Sequence, residues 1–249
     1  MIESPHNPRL KAVRALHARK HREGEHCFLL ETTKLVMEAL QAGWPLDGIY
    51  ATESWLERHA GIPAELVSDR AFQGLTTLES PEGVVAVARY PISEPMSVPP
   101  DAFFAMAVGL QDPGNLGTLI RTADAAGATA VLVCEGTVDP YAPKTVRATM
   151  GSLFHLPVQR TTLAEIVPFL HDRGVSILAA ALGGTSLYAQ DLTGKVAWML
   201  GAEGMGLSEA QQSMADRRVE IPIPGKAESL NVAAASAVCL YETVRQRLI

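Results

Sequence analysis

The sequence predicts an α/β protein, with a small N-terminal α/β domain followed by a larger domain built on a parallel sheet. Short apolar runs alternate with segments of helical periodicity from end to end, the pattern of strands joined by crossover helices. A second observation sets the boundary. Residues 91–101, PISEPMSVPPD, hold four prolines in eleven positions, which removes backbone donors and disfavours helix, so the stretch reads as an extended linker. It separates residues 1–90 from 102–249, about 90 and about 150 residues, both ordinary domain sizes.

In the first domain, residues 8–20 read as a helix, with Leu10, Val13, Leu16 and His17 at helical spacing, and CFLLE as a short strand. A second helix covers 33–42 and is stopped by Gly43, with Leu35, Val36, Ala39 and Leu40 on one face. LDGIYA, AELVS and GVVAVARY complete the domain as strands. In the second domain, FFAMAVGL is a fully buried strand that enters the polar turn QDPGN, and LGTLIRTADAAG is a helix closed by Gly127. Strands AVLVCE, VSILAAA, VAWMLG and VEIPI follow, separated by helical segments at 143–151 and 163–173, and a last helix covers 232–247. No period of about 20 to 50 residues repeats, which argues against a solenoid.

Composition narrows the function classes. An apolar fraction of 47% supports a real core and argues against disorder. No run approaches the roughly 20 apolar residues of a membrane span, and residues 1–24 lack an apolar signal-peptide core, so no membrane partner and a cytoplasmic location are expected. Cys27, Cys134 and Cys239 lie far apart in apolar contexts, as buried reduced thiols do. The seven histidines show no metal-ligand spacing and no GxSxG elbow or HExxH pair is present, so no metal is expected and hydrolase chemistry has no support. His155, between Phe154 and Leu156, reads as a core histidine. A net charge of −6 argues against non-specific coating of nucleic acid. Residues 1–24 nevertheless carry Arg9, Lys11, Arg14, Arg19, Lys20 and Arg22 against Glu3 and Glu23, a phosphate-binding arm or equally a solvated helix face.

Three polar clusters follow predicted parallel strands, where open α/β sheets place their ligand crevice. In DPGNLGTLIRTADAAG, Asn115 and Gly117 stand at the turn into a helix, and Arg121 follows six residues after Asn115, placed for the amide to orient a buried guanidinium. In DPYAPKTVRATMG, Lys144 and Arg147 share a helix face, suited to a phosphate or to solvent. The third cluster joins LGAEGMGLS, whose Gly201, Gly204 and Gly206 allow close backbone approach, to VEIPIPGKAESLNVAAASA. Ser229 and Asn231 precede an almost wholly apolar helix start, where each must cap that helix or face a ligand, and a cap accounts for only one of them.

Together the clusters resemble the three motifs of the SpoU/TrmH family of SPOUT methyltransferases. NLGTLIRTADAAGA is similar to the first, PKTVRATMGSLFHLPV to the second, and LGAEGMGLS with VEIPIPGKAESLNVAAASAVCLYE to the third. The opening SPHNPRLKAVRALHARKHREGEHCFLLET resembles the substrate-binding domain often fused ahead of this catalytic domain. The resemblance implies a C-terminal trefoil knot, a homodimer, and transfer of methyl from S-adenosylmethionine to a ribose 2′-hydroxyl of RNA, rRNA favoured over tRNA. A catalytically silent RNA-binding relative is the other reading, against which the retained motif residues argue. It further implies a donor site at Gly201, Ile221, Pro222 and Leu230, and a catalytic pocket of Asn115, Arg121, Glu203, Ser229 and Asn231. The basic arm, Lys144 and Arg147 are the RNA-binding candidates. The chain departs from the family pattern at Thr149, where serine is usual, and at Glu31-Thr32, where Glu-Gly is common. Removal of residues 1–95 is expected to leave a folded, donor-binding dimer.

Overall fold

The structure, a computed structural model, describes residues 1–91, 96–202 and 204–248. The chain begins with α1 (Pro8–Ala15), α2 (Arg19–Glu25), β1 (Cys27–Leu30), α3 (Thr33–Gln41), β2 (Leu46–Ala51), α4 (Glu53–Arg58), β3 (Glu65–Leu66), α5 (Asp69–Phe72) and β4 (Val84–Arg89). It continues through β5 (Phe103–Val108), α6 (Pro113–Ala125), β6 (Ala130–Val133), α7 (Pro143–Thr149), β7 (Val158–Arg160) and α8 (Leu163–His171). The last elements are β8 (Ser176–Ser186), β9 (Val196–Gly201), α9 (Glu209–Gln212), β10 (Arg217–Glu220) and α10 (Val232–Arg247). Two compact units emerge: among the described residues, 1–91 join 141–154, and 96–140 join 155–248. The segment 141–154, expected in the second domain, thus packs in the first unit. The expected linker at 91–101 lies partly outside the described residues.

The first unit is a four-stranded sheet in the order β1-β4-β2-β3, antiparallel except for β2 with β3. Leu10, Val13, Leu16, Phe72, Leu75, Val85 and Val87 form its core. The helix expected over 8–20 is two helices, because Ala18 takes an extended backbone. Buried Arg22 of α2 donates to the carbonyls of Leu16 (2.8 Å) and His17 (2.7 Å), so its guanidinium satisfies groups that the end of α1 leaves open. Helix α7 lies on β1, with Tyr141 against Phe28 at 5.0 Å and stacked on Tyr90 at 4.2 Å, while Phe154 meets Trp44 at 5.3 Å. The buried Glu31 carboxylate accepts from the Thr77 amide (2.7 Å) and hydroxyl (3.2 Å) and pairs with Arg147.

The second unit is a wholly parallel six-stranded sheet in the order β10-β8-β9-β5-β6-β7. Phe104, Met106, Leu132, Ile177, Ala179 and Met199 are buried in its core, which explains the continuous apolar runs of its strands. The strand expected at VEIPI begins earlier, at Arg217, and ends at Glu220, because Pro222 and Pro224 cannot donate to a ladder. From that edge strand the chain returns along 221–231 to α10, which packs on α6 and β9. The Trp198 indole donates to the Thr243 hydroxyl at 2.9 Å, pinning α10 to β9.

Candidate functional site

The pairing of β8 with β9 stops at Ala180 and Leu200, and beyond it the C-terminal end of β9 and the middle of β8 open into a cleft of about 290 Å³. Its walls come from Ala180–Leu182, Leu200–Ala202, the 204–207 loop, Ile221 and Ile223, and the start of α10. Gly201, Ile221, Ser229 and Leu230, assigned to the site from the sequence, all line it, whereas Pro222 does not. Glu203 lies outside the described residues. The loop after β9 is folded tightly on the strand: Gly206 donates to the Ala202 carbonyl at 2.9 Å, with φ +62° at Gly206. A Cβ on Gly201 would fall 2.5 Å from the Gly206 carbonyl carbon and 2.6 Å from the Leu207 nitrogen, so only glycine admits this backbone approach.

Helices α6 and α10 meet at their N-termini beside this region. Asp112 caps α6 by accepting from the Asn115 amide at 3.0 Å, so Asn115 and Gly117 stand inside the first turns of the helix and not in the expected loop. Asn231 caps α10, its Oδ1 accepting from Ala233 (2.9 Å) and Ala234 (3.4 Å). Its Nδ2 then donates to Asn115 Oδ1 at 3.3 Å. Of the two polar residues before α10, Asn231 is therefore the cap and Ser229 faces the cleft.

Arg121 departs from expectation. Its side chain is exposed on α6, and no hydrogen bond joins it to Asn115 among the described residues. At about 100° per residue, six positions leave the two side chains about 120° apart around the helix.

The basic candidates separate by partner. Arg147 is committed to the buried Glu31, and Arg22 to the end of α1, so neither guanidinium is offered to a phosphate; withdrawing Arg147 would leave a buried carboxylate uncompensated. Arg14 donates to the Pro5 carbonyl. Arg9 pairs with Glu65 at 3.0 Å and Arg19 with Glu23 at 2.7 Å, both at the surface. Lys11, Lys20 and Lys144 are exposed. His155, expected in the core, is exposed and lies 3.5 Å from Asp124. Burial pushes the Cys27 thiol up to about 11 and those of Cys134 and Cys239 to about 12, which leaves none of them a thiolate nucleophile at neutral pH. Among the described residues no cluster of His, Cys, Asp and Glu could hold a metal ion, and no helix is long and apolar enough to cross a membrane.

Sequence reasoning missed Ala180, Ala181 and Leu182 in the middle of β8 and Gln212 of α9, which also line the cleft. Nothing in the chain flagged either. Gln212 Nε2 donates to the Leu207 carbonyl at 2.6 Å, and its Oε1 is buried with no partner among the described residues.

A parallel sheet whose strand ends hold an apolar, glycine-lined cleft beside two helix N-termini defines a ligand-binding α/β enzyme domain. Comparison makes the class specific. Residues 102–241 match the SpoU rRNA Methylase family and residues 7–86 the MRM3-like substrate binding domain, and the chain belongs to the SpoU family. The 23S rRNA (guanosine(2553)-2′-O)-methyltransferase RlmP of Bacillus subtilis is 37% identical over 244 residues, 96% of this chain and 97% of that protein. The SpoU methyltransferase AviRb from Streptomyces viridochromogenes, crystallised with AdoMet, superposes with a TM-score of 0.88 at 30% identity, over 97% of this chain and 98% of its own. An AdoMet-bound rRNA methyltransferase from Sinorhizobium meliloti gives 0.88 at 32%, over 98% and 97%.

Proposed function

We propose that this protein transfers methyl from S-adenosylmethionine to a ribose 2′-hydroxyl of rRNA. The observation that carries this reading is the convergence of Gly201, Ile221, Ser229 and Leu230, distant in sequence, on one cleft at the strand ends. The cleft suits the donor: the close pass of the 206–207 backbone over Gly201 brings main-chain groups to its wall, where they can hold a ligand. Bound there, S-adenosylmethionine supplies an electrophilic methyl on a sulfonium.

The chain's own residues supply position and charge. Asn231 is held by α10 and in turn holds Asn115, so the two amides present a fixed polar edge beside the cleft. Arg121, exposed on the same helix as Asn115, is the cation for the target phosphate and the developing ribose oxyanion. A guanidinium stays protonated far above neutral pH, so its role is electrostatic and not that of a base. Glu203 and Ser229 complete the catalytic set by the family resemblance, and Pro222 shapes the donor loop next to Ile221. Lys11, Lys20, Arg9, Arg19 and Lys144 serve as the RNA-binding surface. The protein works in the cytoplasm as a homodimer, a state supported by the exposure of Tyr241 on α10 and of Leu248 just beyond it, and its C-terminal return is threaded as a trefoil knot.

The test is transfer of labelled methyl to separate pools of unmodified rRNA and tRNA, with the product nucleosides identified. A 2′-O-methylnucleoside from rRNA is expected; the same product from tRNA alone would overturn the substrate, and a methylated base the chemistry. In the same assay Arg121→Ala should reduce turnover at least about a hundredfold, with donor affinity kept. Equal loss of donor binding would remove Arg121 from the oxyanion-stabilising role.

A further inference from the structure

One side chain stitches together the loops that follow β5 and β6. Gln111 donates from Nε2 to the carbonyls of Gly109 (3.3 Å) and Gly136, so its amide nitrogen serves a main-chain oxygen in each of two loops. Both glycines take left-handed backbone, φ +72° and +76°, and a Cβ on Gly136 would lie 3.4 Å from Gly109 Cα, so the loops pass very close to one another. We propose that Gln111 is a positioning residue for methyl transfer, fixing the loop between β5 and α6 and through it the spacing between the donor and the ribose hydroxyl. The inference rests on the function proposed above.

This loop adjoins both halves of the site. At its start, Val108 pairs with Gly201, and a Cβ on Gly109 would stand in ordinary contact with the Ala202 methyl, at 3.8 Å; Gly201 and Ala202 both line the cleft. At its end, Asp112 caps α6 at the Asn115 amide, and Asn115 accepts from Asn231. Only Leu110 and Gln111 separate the two ends. Methyl transfer needs the reacting atoms in line and about 3–3.5 Å apart, and a misplacement of about 1 Å can cost about a hundredfold in rate. The loops stay joined without Gln111: Cys134 N and Thr137 Oγ1 donate to the Ala107 carbonyl at 2.9 and 3.0 Å, and Val138 N donates to the Leu110 carbonyl at 2.8 Å. The Gln111 amide therefore sets where the loop stands, and the fold persists in its absence.

The experiment measures methyl transfer to unmodified RNA by the full chain, alongside calorimetric binding of S-adenosylhomocysteine and filter binding of the same RNA. Gln111→Met keeps the length of the side chain and removes its donors; kcat should fall about tenfold or more while both affinities stay within about twofold of wild type. Gln111→Glu should be as slow at about pH 8, where a carboxylate would face two carbonyl oxygens, and should recover towards about pH 5.5 as protonation restores one donor. The rate of Gln111→Met relative to wild type should stay flat over that range. An unchanged kcat in Gln111→Met, or a relative rate of Gln111→Glu that ignores pH, would overturn the proposal. Loss of donor or RNA affinity in step with the rate would also overturn it, because Gln111 would then build a binding site and not an alignment. A wild-type protein that transfers no methyl would reject the proposed function and this inference with it, whereas an active wild type with indifferent variants rejects the inference alone.

Discussion

At the scale of single residues, one carboxylate shows how local chemistry sets stability. Glu242, buried on α10, accepts from Arg245 Nε and Nη2 and from Gln246 Nε2, each at 2.8 Å. The Arg245 bonds above all hold its carboxyl below the usual range. A depressed folded-state value means that this stabilisation is complete above the unfolded value, about 4.3, and is lost as pH falls through the folded one. Glu242→Gln is therefore expected to lower unfolding stability by about 1–2 kcal/mol at pH 7, with the gap narrowing below about pH 4. Thermal melts at the two pH values check this; a gap of the same size at about pH 3 would show that the charge is irrelevant. Legibility at this scale was uneven. Asn231 stood out because a polar residue before an apolar helix has few alternatives. The burial of Arg22 and the commitment of Arg147 did not, since a basic residue in sequence carries no mark of its partner.

At the scale of elements, α6 and the apolar β5, β6 and β9 were readable because each is long or uninterrupted enough for its period to speak. The three-residue β7, the short α4, α5 and α9, and the early end of β10 were not, because turns and partner strands decide them more than their own residues do. The glycine loop after β9 was legible as a close approach, though not as to what approaches. That answer gives a prediction: Gly201→Ala would drive its methyl into the 206–207 backbone and should move the loop off the strand, reducing donor affinity at least about tenfold while the sheet persists. Calorimetry beside a circular dichroism spectrum separates the two effects. Unchanged affinity would mean that the tight pass over Gly201 plays no part in the site.

At the scale of the whole molecule, the fold class was legible from the alternation of strands and helices. The sequence could not reveal that the chain goes back. Because Tyr141, Arg147 and Phe154 pack against Phe28, Tyr90, Glu31 and Trp44, removal of residues 1–95 takes away the partners of that segment. The truncated chain is therefore expected to melt well below the full one and to aggregate, not to survive as the folded dimer that the sequence alone suggests. Light scattering should return about twice the 26.6 kDa chain mass for the full protein and a polydisperse species for the fragment. A monodisperse fragment would show that 141–154 holds its shape unaided.

The return of 141–154 also has a consequence in time. Synthesis delivers the chain from its N-terminus, so the four strands of the first sheet leave the ribosome before the segment that covers β1 exists. Until then Phe28 lacks its Tyr141 neighbour and the carboxylate of Glu31 has no guanidinium. The first unit cannot reach its final state until β5, α6 and β6 of the second have been made, so the order of translation couples the maturation of the two units.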